Sequence, residues 1–195
     1  MNTDRQQRGF TLVEMLVSLA VLSLAIGAIA PLLLDSSRVN RSQQMTMTVQ
    51  ADARNCLELV TSIIRSSGWD PRKTGFAALT LNASDPASAD HIEVFADLNE
   101  DGDTADDGED VLVQLSGKQL QWRKSTGGTL VVLADDVTND ANGDGTAELM
   151  FTPDSATAPT KITVKMTTQS AARDPRSGQF IRYTVSDVVA LRGKL

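Results

Sequence analysis

The sequence is poor in the residues that most enzyme chemistry needs. It holds one cysteine, Cys56, and one histidine, His91, in 195 residues. A single cysteine excludes an internal disulfide. His91 is accompanied by no zinc-type histidine spacing and no Gly-x-Ser-x-Gly turn, so neither metal hydrolysis nor a serine-nucleophile site has its residues. A Ser-His-Asp set could be built only by choosing serines freely, which is no observation. The chain therefore reads as a non-enzyme with no small-molecule substrate. Aromatic residues make up only 4% of the chain. No Lys/Arg-rich run is interleaved with them, so the motif that would support a DNA or RNA partner is missing, although charge alone permits one.

Bases are scarce where acids are dense. Asp97 to Asp110 holds eight acids without a base, and Asp135 to Glu148 holds five more. Removing those 13 from the total of 25 leaves 12 acids against 18 Lys plus Arg, so the overall charge of −7 comes from two short stretches.

What the chain does have is a long apolar run. Phe10 to Leu34 is 25 residues with one acid, Glu14, near its front. At 1.5 Å per helical residue that length crosses a hydrocarbon core of roughly 30 Å. An ordinary secretory signal has a shorter apolar region and a small-residue cleavage site after it, whereas here the run is longer and Gly9 precedes it. An uncleaved single-pass anchor fits the length but gives no account of Glu14. A carboxylate in such a segment costs about 2.5 to 3.5 kcal/mol at mid-membrane, less near an end. Cleavage after Gly9 would place a new amine on Phe10, four residues before Glu14 on the same helical face, and the amine of one copy could meet the carboxylate of a neighbour.

Gly9-Phe10-Thr11-Leu12-Val13-Glu14, with the preceding Arg8, resembles the type IV pilin signature. The resemblance implies that prepilin peptidase cuts after Gly9 and methylates Phe10, and that Glu14 acts in assembly. Pro31 resembles a helix-loosening proline that many pilins carry in this region. The many pilins with a C-terminal disulfide loop differ from this chain, so no such loop is transferred to it.

The leader, residues 1–9, carries Arg5 and Arg8 against Asp4 and should stay cytoplasmic. Residues 10–34 are the membrane and filament-core half of a helix of about 55 residues, and residues 35–67 are its amphipathic half. In that second half Val49, Ala53, Cys56, Leu57, Val60, Ile63 and Ile64 form one apolar face, and Ser66-Ser67-Gly68 is the stop. Cys56 lies on this face and reads as a buried, inert thiol. Residues 68–195 show period-two strands and turns: near Phe76 to Leu81, His91 to Phe95, Val111 to Leu115, Lys118 to Arg123, Leu130 to Leu133, Leu149 to Phe151, Ile162 to Met166 and Ile181 to Leu191. The loop from Gln169 to Phe180 should join the last two. A helix packed on an antiparallel sheet reads as α+β, and the resemblance implies a type IV pilin fold.

Ser67-Gly68-Trp69-Asp70-Pro71, the segment Ile92 to Gly102, and Val188-Val189-Ala190-Leu191-Arg192 resemble minor pilins of the W type, which help start filament assembly. The J-type minor pseudopilin of type II secretion shares the layout. A membrane-anchored calcium-binding or adhesive domain is the reading from another class. The resemblance implies major and minor pilins, prepilin peptidase and the inner membrane as partners. It also implies a single pass with the β domain periplasmic, followed by export into an extracellular filament.

Two stretches open like calcium loops: Asp97, Asn99, Asp101 and Asp103 around Gly102, and Asp140, Asn142 and Asp144 before Gly145. Neither completes the EF-hand. The twelfth position is Gly108 in the first, with Glu109 one residue late, and Phe151 in the second. The alternative is that Asp, Asn and Gly simply make polar turns. Calcium is the expected cofactor, first of all at the first loop, where uncompensated acids are densest.

Overall fold

The computed structural model describes residues 10–81, 90–155 and 159–191. The leader with Gly9, most of the loop from Asn82 to Asp90, and Arg192 lie outside the described residues. Among the described residues a single helix, α1 (Leu12–Ser66), runs for 55 residues and continues through Pro31. Proline has no N–H to donate, so the turn there lacks one backbone bond, yet the helical path is kept. At 1.5 Å per residue the helix is about 80 Å long, far more than one domain can cover.

Its two halves differ as the sequence pattern requires. None of its most apolar 18-residue window is buried. In the second half Val49, Ala53, Cys56, Val60, Thr61 and Ile64 are buried, at the three- and four-residue spacing of one helical face. Burial pushes the Cys56 thiol up, and the Asp52 charge adds to the rise, so the group is held as an inert thiol. The helix ends on Ser67, whose N–H bonds the Ile64 carbonyl, and on Gly68, whose φ of 74° is the left-handed conformation a helix stop favours.

Eight strands follow among the described residues: β1 (Leu79–Leu81), β2 (His91–Phe95), β3 (Asp110–Ser116), β4 (Gln119–Arg123), β5 (Val131–Ala134), β6 (Phe151–Pro153), β7 (Lys161–Arg173) and β8 (Phe180–Ala190). They form two antiparallel sheets instead of one, with orders β1-β2-β3-β4-β5 and β6-β7-β8. An isolated antiparallel bridge links Val137, three residues beyond β5, to Thr168 of β7. The register puts Ile92 opposite Val113 and Val94 opposite Val111, so these four buried side chains share one face. In the β3–β4 hairpin Leu120 pairs with Leu115, and Trp122 with Val113.

The helix lies chiefly against β7 and β8, with a smaller contact to β2. Val60 and Ile64 enter a core with Ile92, Val113 and Leu120 of the first sheet and Phe151, Ile162 and Met166 of the second. Truncating a fully buried Ile of this kind to Ala costs about 2 to 5 kcal/mol. The Thr168 hydroxyl donates to the Val49 carbonyl at 3.0 Å, fixing the helix on β7.

Two local expectations change. The first strand is shorter than Phe76 to Leu81, and β7 runs past Gln169 to Arg173. Gln169 and Ser170 look like loop residues but are 7% and 3% exposed. Their polar groups are satisfied inside the hairpin: Ile181 N–H donates to Ser170 Oγ, and Gln169 N–H donates to the Asp136 carbonyl. The turn itself is held by Asp174, which accepts from the Arg176 and Ser177 amides. Hydrogen bonding, first from the Ser177 side chain, lowers the Asp174 carboxyl to about 2.

Candidate functional site

The helix start and the two acidic loops carry the residues singled out above. Phe10 is 81% exposed at the head of the described chain. Thr11 is the N-cap of α1 and forms a capping box with Glu14. Glu14 N–H donates to Thr11 Oγ1 at 3.2 Å, and Thr11 N–H donates to Glu14 Oε2 at 3.4 Å. Two orphan amides of the helix start are satisfied this way, and the carboxylate sits where the helix dipole favours a negative charge. Thr11 was missed in reading the sequence, although Thr-x-x-Glu before an apolar run is the signal for it. The processing position Gly9 lies outside the described residues.

The first acidic loop is the β2–β3 connection, and its neck is closed by backbone bonds. Ala96 N–H donates to the Glu109 carbonyl at 2.9 Å, and Asp97 N–H donates to the Trp69 carbonyl at 2.8 Å. The segment just after α1 thus sets the position of the loop. Asp97, expected as a ligand, is fully buried and turned to the backbone: its oxygens accept from the Asp101 amide at 3.1 Å and the Gly102 amide at 3.0 Å. Gly102 adopts a φ of 100°, open to glycine and strained for other residues. Asn99 Nδ2 donates to Asp101 Oδ2 at 3.1 Å and to Asp106 Oδ2 at 2.6 Å, drawing these two carboxylates together.

The result is a four-carboxylate cluster. Asp101, Asp103, Asp106 and Glu109 each place one oxygen within 4.8 Å of the others. Two of the four expected positions belong to it. Asp97 and Asn99 shape the loop, while Asp106 and Glu109 take the places not foreseen. Glu109 is 2% exposed; its Oε1 accepts from the Leu98 amide at 2.7 Å and the Asn99 amide at 3.0 Å, while its Oε2 is buried without a hydrogen-bond partner among the described residues.

Each like-charge pair at such separations costs about 1 kcal/mol in water and more where the dielectric is lower. Asp101 is held below the ordinary aspartate range, first by the Asp103 amide and then by Asn99. Asp106 is pulled down by Asn99, but the bond shared with Asp101, desolvation and the charges of Asp101 and Glu109 together raise it. The loop also has a basic neighbour that the sequence hid: Arg72 Nη1 donates to the Asp101 carbonyl at 3.0 Å. Arg72 comes from the turn after α1, so the absence of bases within the stretch did not mean an absence of bases around it.

The second acidic loop repeats the local geometry. Asp140 accepts from Gly143 at 2.6 Å and Gly145 at 3.1 Å, and Asn142 Nδ2 donates to Asp144 Oδ2 at 2.9 Å. Asp144 accepts from the Thr146 amide at 2.7 Å, and that bond is the main cause of its lowered carboxyl. Among the described residues, however, no third aspartate, glutamate, histidine or cysteine gathers with Asp140 and Asp144; that arrangement occurs at the first loop. Glu148 is instead paired with Lys165 of β7. Arg182 of β8 stands so close to Gly143 that a β-carbon there would lie 2.6 Å from its Nη1.

His91, the one candidate for enzyme chemistry, opens β2 and pairs in register with Gln114. Its neighbour Asp90 accepts from the Met150 amide and has a carboxyl raised mainly by burial.

These features define an α+β protein whose described residues include an exposed apolar helix long enough to cross a membrane, capped at a Thr-Glu start. Residues 4–30 match the prokaryotic N-terminal methylation motif, and the chain thus carries a type IV pilin-like prepilin signal. The motif and helix together support a membrane-anchored, single-pass chain in a pilin- or pseudopilin-like role, processed by prepilin peptidase and associated with pilus components. It points to a structural protein and not a catalytic one. No curated protein and no solved structure matches the chain.

Proposed function

We propose that the chain is a minor type IV pilin of the W type, a non-catalytic subunit that helps start or cap a filament. The observation that carries this reading is the division of α1. Its first half is apolar and uncovered, and its second half is fixed on the β domain. An apolar surface of this extent needs lipid or other helices around it. In the proposed sequence of events the segment inserts in the inner membrane with the β domain periplasmic. Prepilin peptidase then cuts after Gly9 and methylates Phe10, and the helix passes laterally into a filament of major and minor pilins. Glu14 exchanges its bond to the Thr11 amide for the terminal amine of a neighbouring subunit, a stronger charge-assisted partner.

The test is the state of the N-terminus and the fate of a Glu14→Ala variant. Mass spectrometry of membrane-derived protein should find methylated Phe10 as the first residue, and an intact Met1 terminus would sink the proposal. Glu14→Ala should be inserted and cleaved but recovered with sheared filaments several-fold less than the parent. Recovery with a type II secretion complex in place of pili would assign the chain to the J-type pseudopilins.

A further inference from the structure

We infer that the β2–β3 loop binds one divalent cation of the calcium class through Asp101, Asp103, Asp106 and Glu109. This goes beyond the filament reading and does not depend on it. Calcium takes six to eight oxygen ligands at about 2.3 to 2.6 Å, so ligand oxygens on opposite sides of one ion stand about 5 Å apart. The four carboxylates lie within 4.8 Å of one another, the span a single ion bridges. All four donors are hard oxygens, with no imidazole or thiolate among them, which selects calcium, magnesium or manganese over zinc or copper.

A cluster of acids on a surface would carry little by itself. Glu109 supplies the second observation. It is 2% exposed, one of its oxygens is saturated by two amides, and the other is buried with no partner. A buried carboxylate oxygen left unbonded costs free energy that a cation at that point would recover. Arg72 does not fill this role, because it bonds the Asp101 carbonyl and not a carboxylate. The backbone of the loop is held by its own bonds: Asp97 fixes the turn through two amides, and the Ala96–Glu109 bond closes its neck. Preorganisation of this kind lets a site work at the dissociation constants of about 10⁻⁴ to 10⁻³ M found in extracellular modules.

Calorimetric titration of the full-length chain in detergent micelles with calcium chloride, and separately with magnesium chloride, tests the site. One calcium per chain should bind in the micromolar to millimolar range, more tightly than magnesium. Glu109→Gln keeps the shape and an acceptor for the Leu98 and Asn99 amides, and it should weaken calcium at least tenfold. Because a buried change can disturb folding, Asp103→Asn, at an exposed position, should independently weaken calcium several-fold. Asp144→Asn in the second loop should leave the affinity within twofold of the parent. Absence of calcium binding at millimolar concentration in the parent chain overturns the inference. So does parental affinity in Asp103→Asn together with a folded Glu109→Gln, or a loss of binding in Asp144→Asn.

Discussion

The two acidic loops share a sequence and a local shape but not an environment. Each begins with an aspartate that accepts two amides across the turn, and each has an asparagine bonding the aspartate two residues on. Beyond the turn they diverge. The first adds Asp106 and Glu109 and gathers four carboxylates, while the second faces Lys165 and Arg182 from the long strands β7 and β8. Asp-x-Asn-x-Asp-Gly therefore specifies a turn, and the neighbours decide whether further carboxylates gather around it or the protein's own cations approach it.

The largest expected effect tests the shared part of that comparison. Asp97→Ala removes a fully buried carboxylate and leaves the Asp101 and Gly102 amides without acceptors, at a cost of about 3 kcal/mol. Asp140→Ala makes the equivalent change at 9% exposure, where water can replace part of the loss, so about 2 kcal/mol is expected. Denaturant unfolding of the β domain, followed by tryptophan fluorescence of the full chain, measures both. A larger loss at Asp140 would break the ranking.

Titration sharpens the part that differs. With chelator present, Asp106 of the first loop is raised and Asp144 of the second is lowered relative to the ordinary aspartate value of about 3.9. A lowered carboxyl contributes stability above its unfolded value and loses it as pH falls through the folded value. A raised one contributes below its unfolded value and loses that as pH rises through the folded value. On acidification from neutral pH, Asp106 should therefore add stability while Asp144 subtracts it. Asp154, lowered to about 2 mainly by the Thr160 hydroxyl, is a reference of the second sign. Carboxyl-carbon NMR would resolve the groups, and finding Asp106 and Asp144 on the same side of the ordinary value would remove the distinction.

The smallest effect concerns the cation of the second loop. The Lys165–Glu148 pair is 40% and 39% exposed, so solvent screens most of its attraction. Lys165→Gln should cost only about 0.5 kcal/mol in the same unfolding assay. A loss several times larger would mean that the second loop depends on its internal cation far more than this exposure implies.

The sequence by itself determined the helix, its two faces and its stop. A 25-residue apolar run, a three- and four-residue repeat and a Ser-Ser-Gly end are local signals that backbone geometry reads directly. It also determined most strand positions, because alternation of Ile92 and Val94, or of Val111, Val113 and Leu115, needs no distant partner to be recognised. Capping by Thr11 and Glu14 was equally local and was visible in the spacing. Tertiary structure decided the division into two sheets, the burial of Gln169 and Ser170 in the extended β7, and the fate of each acidic turn. Those depend on which groups meet across the chain: Arg72 near Asp101, a buried Glu109 beside three aspartates, Lys165 against Glu148. Charge and hydrogen bonding act through space over a few ångströms, and residues 29, 17 or more positions apart come within that range only once the strands have paired.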